Sequence, residues 1–108
     1  MLVSLEEAIL RVGIERARSG EPDFYGFAIA GSLVDDGGGG RLLGHGTLYK
    51  ALARLEHLAL LQSRWEDVDT SEVGRPRRRL YRVTPAAAGA LATSQASHQA
   101  ARHRVATT

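Results

Sequence analysis

The chain has 108 residues, 24% of them charged, with 14 basic against 12 acidic side chains and a net charge of +2. That length suits one domain with a modest core, not two. The absence of cysteine excludes disulfides, thiolate metal sites and cysteine nucleophiles. No segment is apolar enough to span a membrane or reads as a cleavable leader, so a soluble, cytoplasmic protein is expected.

The charge is uneven. Residues 1–40 carry a net −4, residues 41–85 a net +4 and residues 86–108 a net +2. A polyanion would dock against the middle segment, although charge alone fits an ordinary solvated face equally well.

Ser4-Leu5-Glu6-Glu7 reads as a capping box, with Ser4 as cap and Glu7 three residues on. Leu5, Ala8, Ile9 and Val12 continue it as a helical stripe, and Ser19-Gly20 with Pro22 ends the helix near residue 19. Asp23 can cap a second helix over roughly 24–35, with Phe24, Phe27, Ala28 and Leu33 as core. The run Gly37 to Gly40 is a flexible break, because four glycines lose too much entropy to order cheaply. No Gly-Lys-Ser/Thr follows it, so a nucleotide phosphate loop is not supported.

A third helix is expected at about 46–58. Leu48, Leu52 and Leu55 recur at steps of four and three and share a buried face. Thr47, Tyr49, Lys50 and Arg54 fall largely off that stripe. A hydroxyl, a phenol and two cations on an exposed helix side suit the phosphates and base edges of DNA. The plainer alternative is a solvated helix face.

Leu60 to Val68 alternates like a strand, Asp69 to Gly74 is polar and turn-like, and Arg77 to Val83 is the return strand. A tip of roughly eight residues exceeds the usual hairpin connection and points to a mobile or functional segment. Arg75, Arg77, Arg78 and Arg79 cluster there. In a strand, Arg77 and Arg79 point one way and Arg78 the other. At least two are expected on phosphate, the rest covering the sheet or pairing with Glu66 or Asp67. Trp65 is expected to pack between wing and helices, with a ligand-stacking role as the alternative. Thr84 is read as the N-cap of a last helix and Pro85 as its first residue.

The order helix, helix, helix, hairpin, helix excludes a parallel sheet. It describes a mostly helical α+β fold, the winged helix-turn-helix: three helices, a two-stranded wing hairpin and a C-terminal helix. Residues 1–84 would form the DNA-binding domain. Residues 85–108 would form the C-terminal helix, a candidate dimerisation element.

Several motifs resemble those of PadR-like transcriptional regulators. Tyr25-Gly26-Phe27-Ala28-Ile29 resembles the family's opening of helix 2. Gly46-Thr47-Leu48-Tyr49, with Leu52, Leu55 and Glu56, resembles its recognition helix. Leu60-Leu61-x-Ser63-x-Trp65 resembles the start of its wing, and Gly74-x-Pro76-Arg77-Arg78 with Tyr81, Val83, Thr84 and Gly89 resembles the return strand and exit. Together these span roughly residues 5–92.

The resemblance implies a DNA-binding repressor, usually a homodimer, that reads the major groove with the third helix and the backbone or minor groove with the wing. It also implies a response to small, often aromatic or toxic compounds. The expected DNA contacts are Tyr25, His45, Thr47, Tyr49, Lys50, Arg54, Arg75, Arg77, Arg78 and Arg79, with Trp65 as ligand residue. Tyr25 is equally readable as a core aromatic. A winged-helix adaptor that binds protein without DNA affinity is the alternative function.

The chain departs from the family pattern in three places. Gly44-His45 precedes the Gly-Thr pair, Ala59 stands where a glycine commonly closes the third helix, and Leu91 is the last helix's only large apolar residue before Val105. Dimerisation through so alanine-rich a helix either draws on the first helix as well or is weak. His45, His57, His98 and His103 form no catalytic triad. His98 and His103 are poorly spaced to share a metal, so no enzyme, cofactor or metal is expected.

Overall fold

The structure, a computed structural model, describes residues 2–26, 28 and 44–107, and their side chains except at 45 and 103–107. The elements are α1 (Ser4–Arg18), β1 (Phe24–Tyr25), α2 (His45–His57), β2 (Leu61–Trp65), α3 (Thr70–Val73), β3 (Arg79–Val83) and α4 (Ala87–Thr107). The third helix expected from the sequence is α2. The expected helix over 24–35 is corrected at its start: Phe24 and Tyr25 are extended and pair with Tyr81 and Leu80. Gly26 and Ala28 lie in 3₁₀ turns and Ala28 is exposed. Residues 27 and 29–43, which include Phe27, Leu33 and the glycine run, lie outside the described residues.

Local chemistry sets most of the boundaries. α1 is capped one residue earlier than expected. Val3 is the N-cap, and Glu6, not Glu7, accepts its backbone N–H at 2.9 Å. Valine has no acceptor to return the favour, so only half of a capping box forms. Glu7 is unavailable because it is buried under α4, 3.5 Å from His98. At the far end Gly20 takes a positive φ of 90°, with the Gly20 and Glu21 N–H groups returning to Ala17 and Arg16 carbonyls. That is a Schellman close.

α2 ends the same way but without glycine. Ala59 holds φ at 60°, Ala59 N–H reaches Glu56, and Leu60 N–H reaches Leu55. Leu55 and Leu60 are both buried, the apolar contact that accompanies this motif.

The expected wing hairpin is present, and β1 makes it a three-stranded antiparallel sheet in the order β1-β3-β2. Its strands are shorter than the sequence pattern. The ladder runs from Leu61↔Val83 to Trp65↔Arg79. The tip is not a plain turn: α3 forms one helical turn, with Asp69 capping Ser71 N–H and Gly74 closing at φ 68°. Thr84 does not cap α4. Its hydroxyl donates to the Ala59 carbonyl at 2.7 Å, tying the wing exit to the end of α2, and α4 begins at Ala87.

The core lies where α1, α2 and the inner sheet face meet. Ile9, Leu10, Phe24, Leu48, Leu52, Leu55 and Leu61 are fully buried. Each such side chain contributes about 1.5–3 kcal/mol. α4 packs along α1 through Ala87, Leu91 and Ser94; Ser94 Oγ accepts the Leu2 N–H at 3.1 Å.

Candidate nucleic-acid interface

With Leu48, Ala51, Leu52 and Leu55 turned into the core, the helix period forces Thr47, Tyr49, Lys50 and Arg54 outward, and all four are exposed. Lys50 has no ion-pair or hydrogen-bond partner among the described residues. Arg54 does: its guanidinium pairs with Glu6 of α1, a carboxylate only 3% exposed. That pair braces α2 against α1 and leaves part of the Arg54 fork toward solvent. His45 opens α2, and its side chain lies outside the described residues.

The wing arginines divide by task. Arg75 binds the Glu66 carboxylate through both terminal nitrogens, the second at 3.4 Å. Arg79 donates to Ser63 Oγ at 3.1 and 2.7 Å, and its guanidinium stacks 5.1 Å over the Trp65 ring. Ser63 in turn donates to Glu56 of α2, so these linked side chains fix the wing to the helix. Arg77 donates from Nε to the Val68 carbonyl at 3.3 Å. Arg78 lies 5.0 Å over the Tyr25 ring. Arg77 and Arg78 are exposed, whereas Arg75 and Arg79 are half-buried. The alternation expected of Arg77, Arg78 and Arg79 does not part them: only Arg79 belongs to β3, and all three border one cleft.

Tyr25 is neither of the expected alternatives in pure form. It is half-buried, and its hydroxyl donates to Glu66 Oε2 at 3.1 Å. Trp65 corrects the packing expectation: it is 58% exposed. Trp65 is the last residue of the five-residue β2, beside the tip. It borders a cleft of about 570 Å³, walled also by Tyr25, Tyr49, Tyr81, Arg78 and Arg79.

Two carboxylates organise the cations: Glu66, one of the two acids expected to pair with the wing arginines, and Asp23, which the sequence did not single out for this. Glu66 is 6% exposed. The Arg75 guanidinium above all, with the Arg78 N–H and the Tyr25 hydroxyl, holds its pKa down to about 2 against the opposing effect of burial. Asp23 bridges Arg82 and Arg64, each at 2.8 Å, and Arg82 first, then Arg64, lowers its pKa. A signal for Glu66 was present: an acid whose alternation places it on the outer sheet face, opposite an arginine run. Asp23 gave none, because its partners lie 41 and 59 residues away.

A sheet-backed helix whose outward residues carry a cation and hydroxyls, joined to a cationic hairpin, defines a winged-helix nucleic-acid-binding module. The transcriptional regulator PadR-like family matches residues 19–93. The chain belongs to that family. It is thus a transcriptional regulator and not an enzyme, and DNA is the partner that family membership implies.

Solved structures agree. A PadR family transcriptional regulator from Eggerthella lenta DSM 2243 is 26% identical with a TM-score of 0.72, over 96% of this chain and 80% of that one. A PadR family transcription regulator from hypervirulent Clostridium difficile R20291 is 21% identical with a TM-score of 0.68, over 97% of each chain. A putative transcriptional regulator from Thermoplasma acidophilum, 17% identical over 95% and 87% of the two chains, shares the fold at a TM-score of 0.70. None of the curated proteins matches in sequence. No helix among the described residues is long and apolar enough to cross a membrane, and no cluster of potential metal ligands occurs among them.

Proposed function

We propose that this chain is a sequence-specific repressor, acting in the cytoplasm as a homodimer. It reads the major groove with α2 and the backbone or minor groove with the 61–83 wing. The observation that carries this is positional: Tyr49 of α2 borders the same cleft as Arg77, Arg78 and Arg79 of the wing. The outward helix residues and the wing cations are thereby offered to one ligand together. Thr47, Tyr49 and Lys50 are the contacts on the helix, with Lys50 on a base edge. Arg77 and Arg78 are the phosphate contacts on the wing, while Arg75, Arg79 and Arg54 chiefly support them through their protein partners. Two copies paired through α4 would place two recognition helices on half-sites about one DNA turn apart.

A small aromatic compound in the cleft, stacked on Trp65, would compete with DNA because the walls are shared. The exposed indole beside cationic groups supports this reading.

The test is fluorescence anisotropy with DNA from upstream of the protein's own gene against scrambled DNA, over a salt series. Arg77→Ala/Arg78→Ala runs alongside. Tight, sequence-dependent binding that falls steeply with salt and weakens in the variant is expected. Equal, feeble binding to both DNAs would sink the self-regulating repressor and leave the winged-helix adaptor. Release by an added aromatic solute, with matching quenching of Trp65, tests the inducer.

A further inference from the structure

The β2–β3 ladder stops at Trp65↔Arg79. Beyond it, residues 66–78 must close over a span far longer than the usual hairpin connection of about 2–5 residues. Ordering that many residues costs backbone entropy of about 1–2 kcal/mol each, so something must hold the tip. Asp69 and the α3 turn order its middle, and one side chain ties its two ends together. Glu66 N–H donates to the Arg78 carbonyl at 2.9 Å, and Arg78 N–H donates back to Glu66 Oε1 at 3.0 Å. The carboxylate stands where a strand carbonyl would, and adds one more rung to the ladder. Its oxygens also take the Arg75 guanidinium from the returning limb of the tip and the Tyr25 hydroxyl from β1. Glu66 therefore joins β1, β2 and both ends of the tip at one buried point.

We propose that Glu66 is the positioning residue of the wing: an acid in a DNA-binding surface that raises DNA affinity by fixing where Arg77 and Arg78 project. This rests on the reading that the wing meets DNA. It makes an unusual prediction of sign. By charge alone, removing an acid beside a phosphate backbone tightens binding. It also releases Arg75 from its partner, adding a cation to the surface. If the carboxylate positions the wing, removing it weakens binding instead, because Arg77 and Arg78 lose the frame that aims them.

The test uses the full chain and the DNA that the wild-type protein retains best, with Glu66→Gln and Glu66→Ala measured over a salt series. Glu66→Ala is expected to weaken binding about tenfold or more, the range for removing a charged hydrogen-bond partner. Glu66→Gln should weaken it less, because its amide oxygen can still accept the Arg78 N–H. The slope of log K against log salt should become shallower by about 0.9 for each phosphate that the wing no longer neutralises. In hydrogen exchange the Arg78 amide should lose protection while the amides of α2 keep theirs.

Binding equal to or tighter than wild type, with an unchanged or steeper salt slope, overturns the proposal and makes Glu66 a mask for Arg75. If Glu66→Ala fails to fold, the near-isosteric Glu66→Gln decides by the same two readouts. Wild-type protein that binds no DNA defeats the functional reading, and the proposal with it. Wild-type binding with indifferent variants defeats the Glu66 proposal alone.

Discussion

Gly13→Ala sets two opposing effects against each other. Gly13 lies within α1 on its buried face. Alanine in a helix interior is favoured over glycine by about 0.8–1 kcal/mol, so on α1 alone the substitution stabilises. The space around it reverses the sign. A Cβ at this position would stand 2.6 Å from Val83 Cγ1 and 3.3 Å from Phe24 Cε1. Carbon atoms pack best at about 3.5–4.0 Å. Val83 cannot yield cheaply, because it is branched at Cβ with a stiff χ1 and its backbone is paired to Leu61 in the sheet. Forced overpacking of this kind costs about 1–3 kcal/mol. The net expectation is a loss of up to about 2 kcal/mol.

Gly89→Ala is the control. Gly89 lies in α4 with nothing within 4 Å of its Cβ position, so only the helix preference acts, and a gain of up to about 1 kcal/mol is expected. The gap between the two substitutions isolates the close approach of α1 to β3. Urea unfolding followed by circular dichroism, at a common m value, measures it. A change of about 1 kcal/mol corresponds to roughly 4–8 °C in Tm at this size. Adding Val83→Ala to Gly13→Ala should return part of the loss, a coupling that independent sites would not show. If Gly13→Ala gains as much as Gly89→Ala, or the double variant is additive, the close approach is wrong. So then is the account of how α1 seats the return strand of the wing.

Ala59→Gly should stabilise the chain by about 0.5–1 kcal/mol in the same urea assay, because the positive φ of 60° costs alanine what glycine adopts at no steric penalty. A loss of stability there would mean that unfolded-state entropy outweighs the strain. Glu66 and Asp23 are both carboxylates held below their ordinary pKa values of 4.5 and 3.8. The stability they add is present above those ordinary values and is lost as the pH falls below them, toward about 2 for Glu66. Exposed Trp65, next to Glu66, should change its emission in that window, and Glu66→Gln should blunt the change. A flat Trp65 signal across the same window in the wild type would mean the wing clamp is not electrostatic.

Much of the fold was legible because helix periodicity and capping are local. The Leu48, Leu52 and Leu55 stripe fixes which side of α2 is buried, and therefore that Thr47, Tyr49, Lys50 and Arg54 face outward. Gly20 closes α1 close to where Ser19-Gly20 predicts its end. Expectations failed where a distant partner displaced a local one. Glu7 fits a capping box in sequence, but burial against α4 removes it. Thr84 fits an N-cap, but the Ala59 carbonyl lies within reach of its hydroxyl. Phe24 fits a helical stripe, but β3 offers it backbone partners.

The order of most elements, the composition of the outward face of α2 and the concentration of cations in the wing are all written locally. They depend on neighbours three or four positions away along a helix, or two along a strand. Which cations are engaged by protein is instead a property of the assembled fold. Tyr25 meets Glu66 across 41 residues and Arg82 meets Asp23 across 59, and no local pattern encodes such pairings. By formal charge the four wing arginines are equals. Burial of one carboxylate makes Arg75 a structural partner and leaves Arg77 and Arg78 exposed, because a buried charge must be paired while an exposed one need not be.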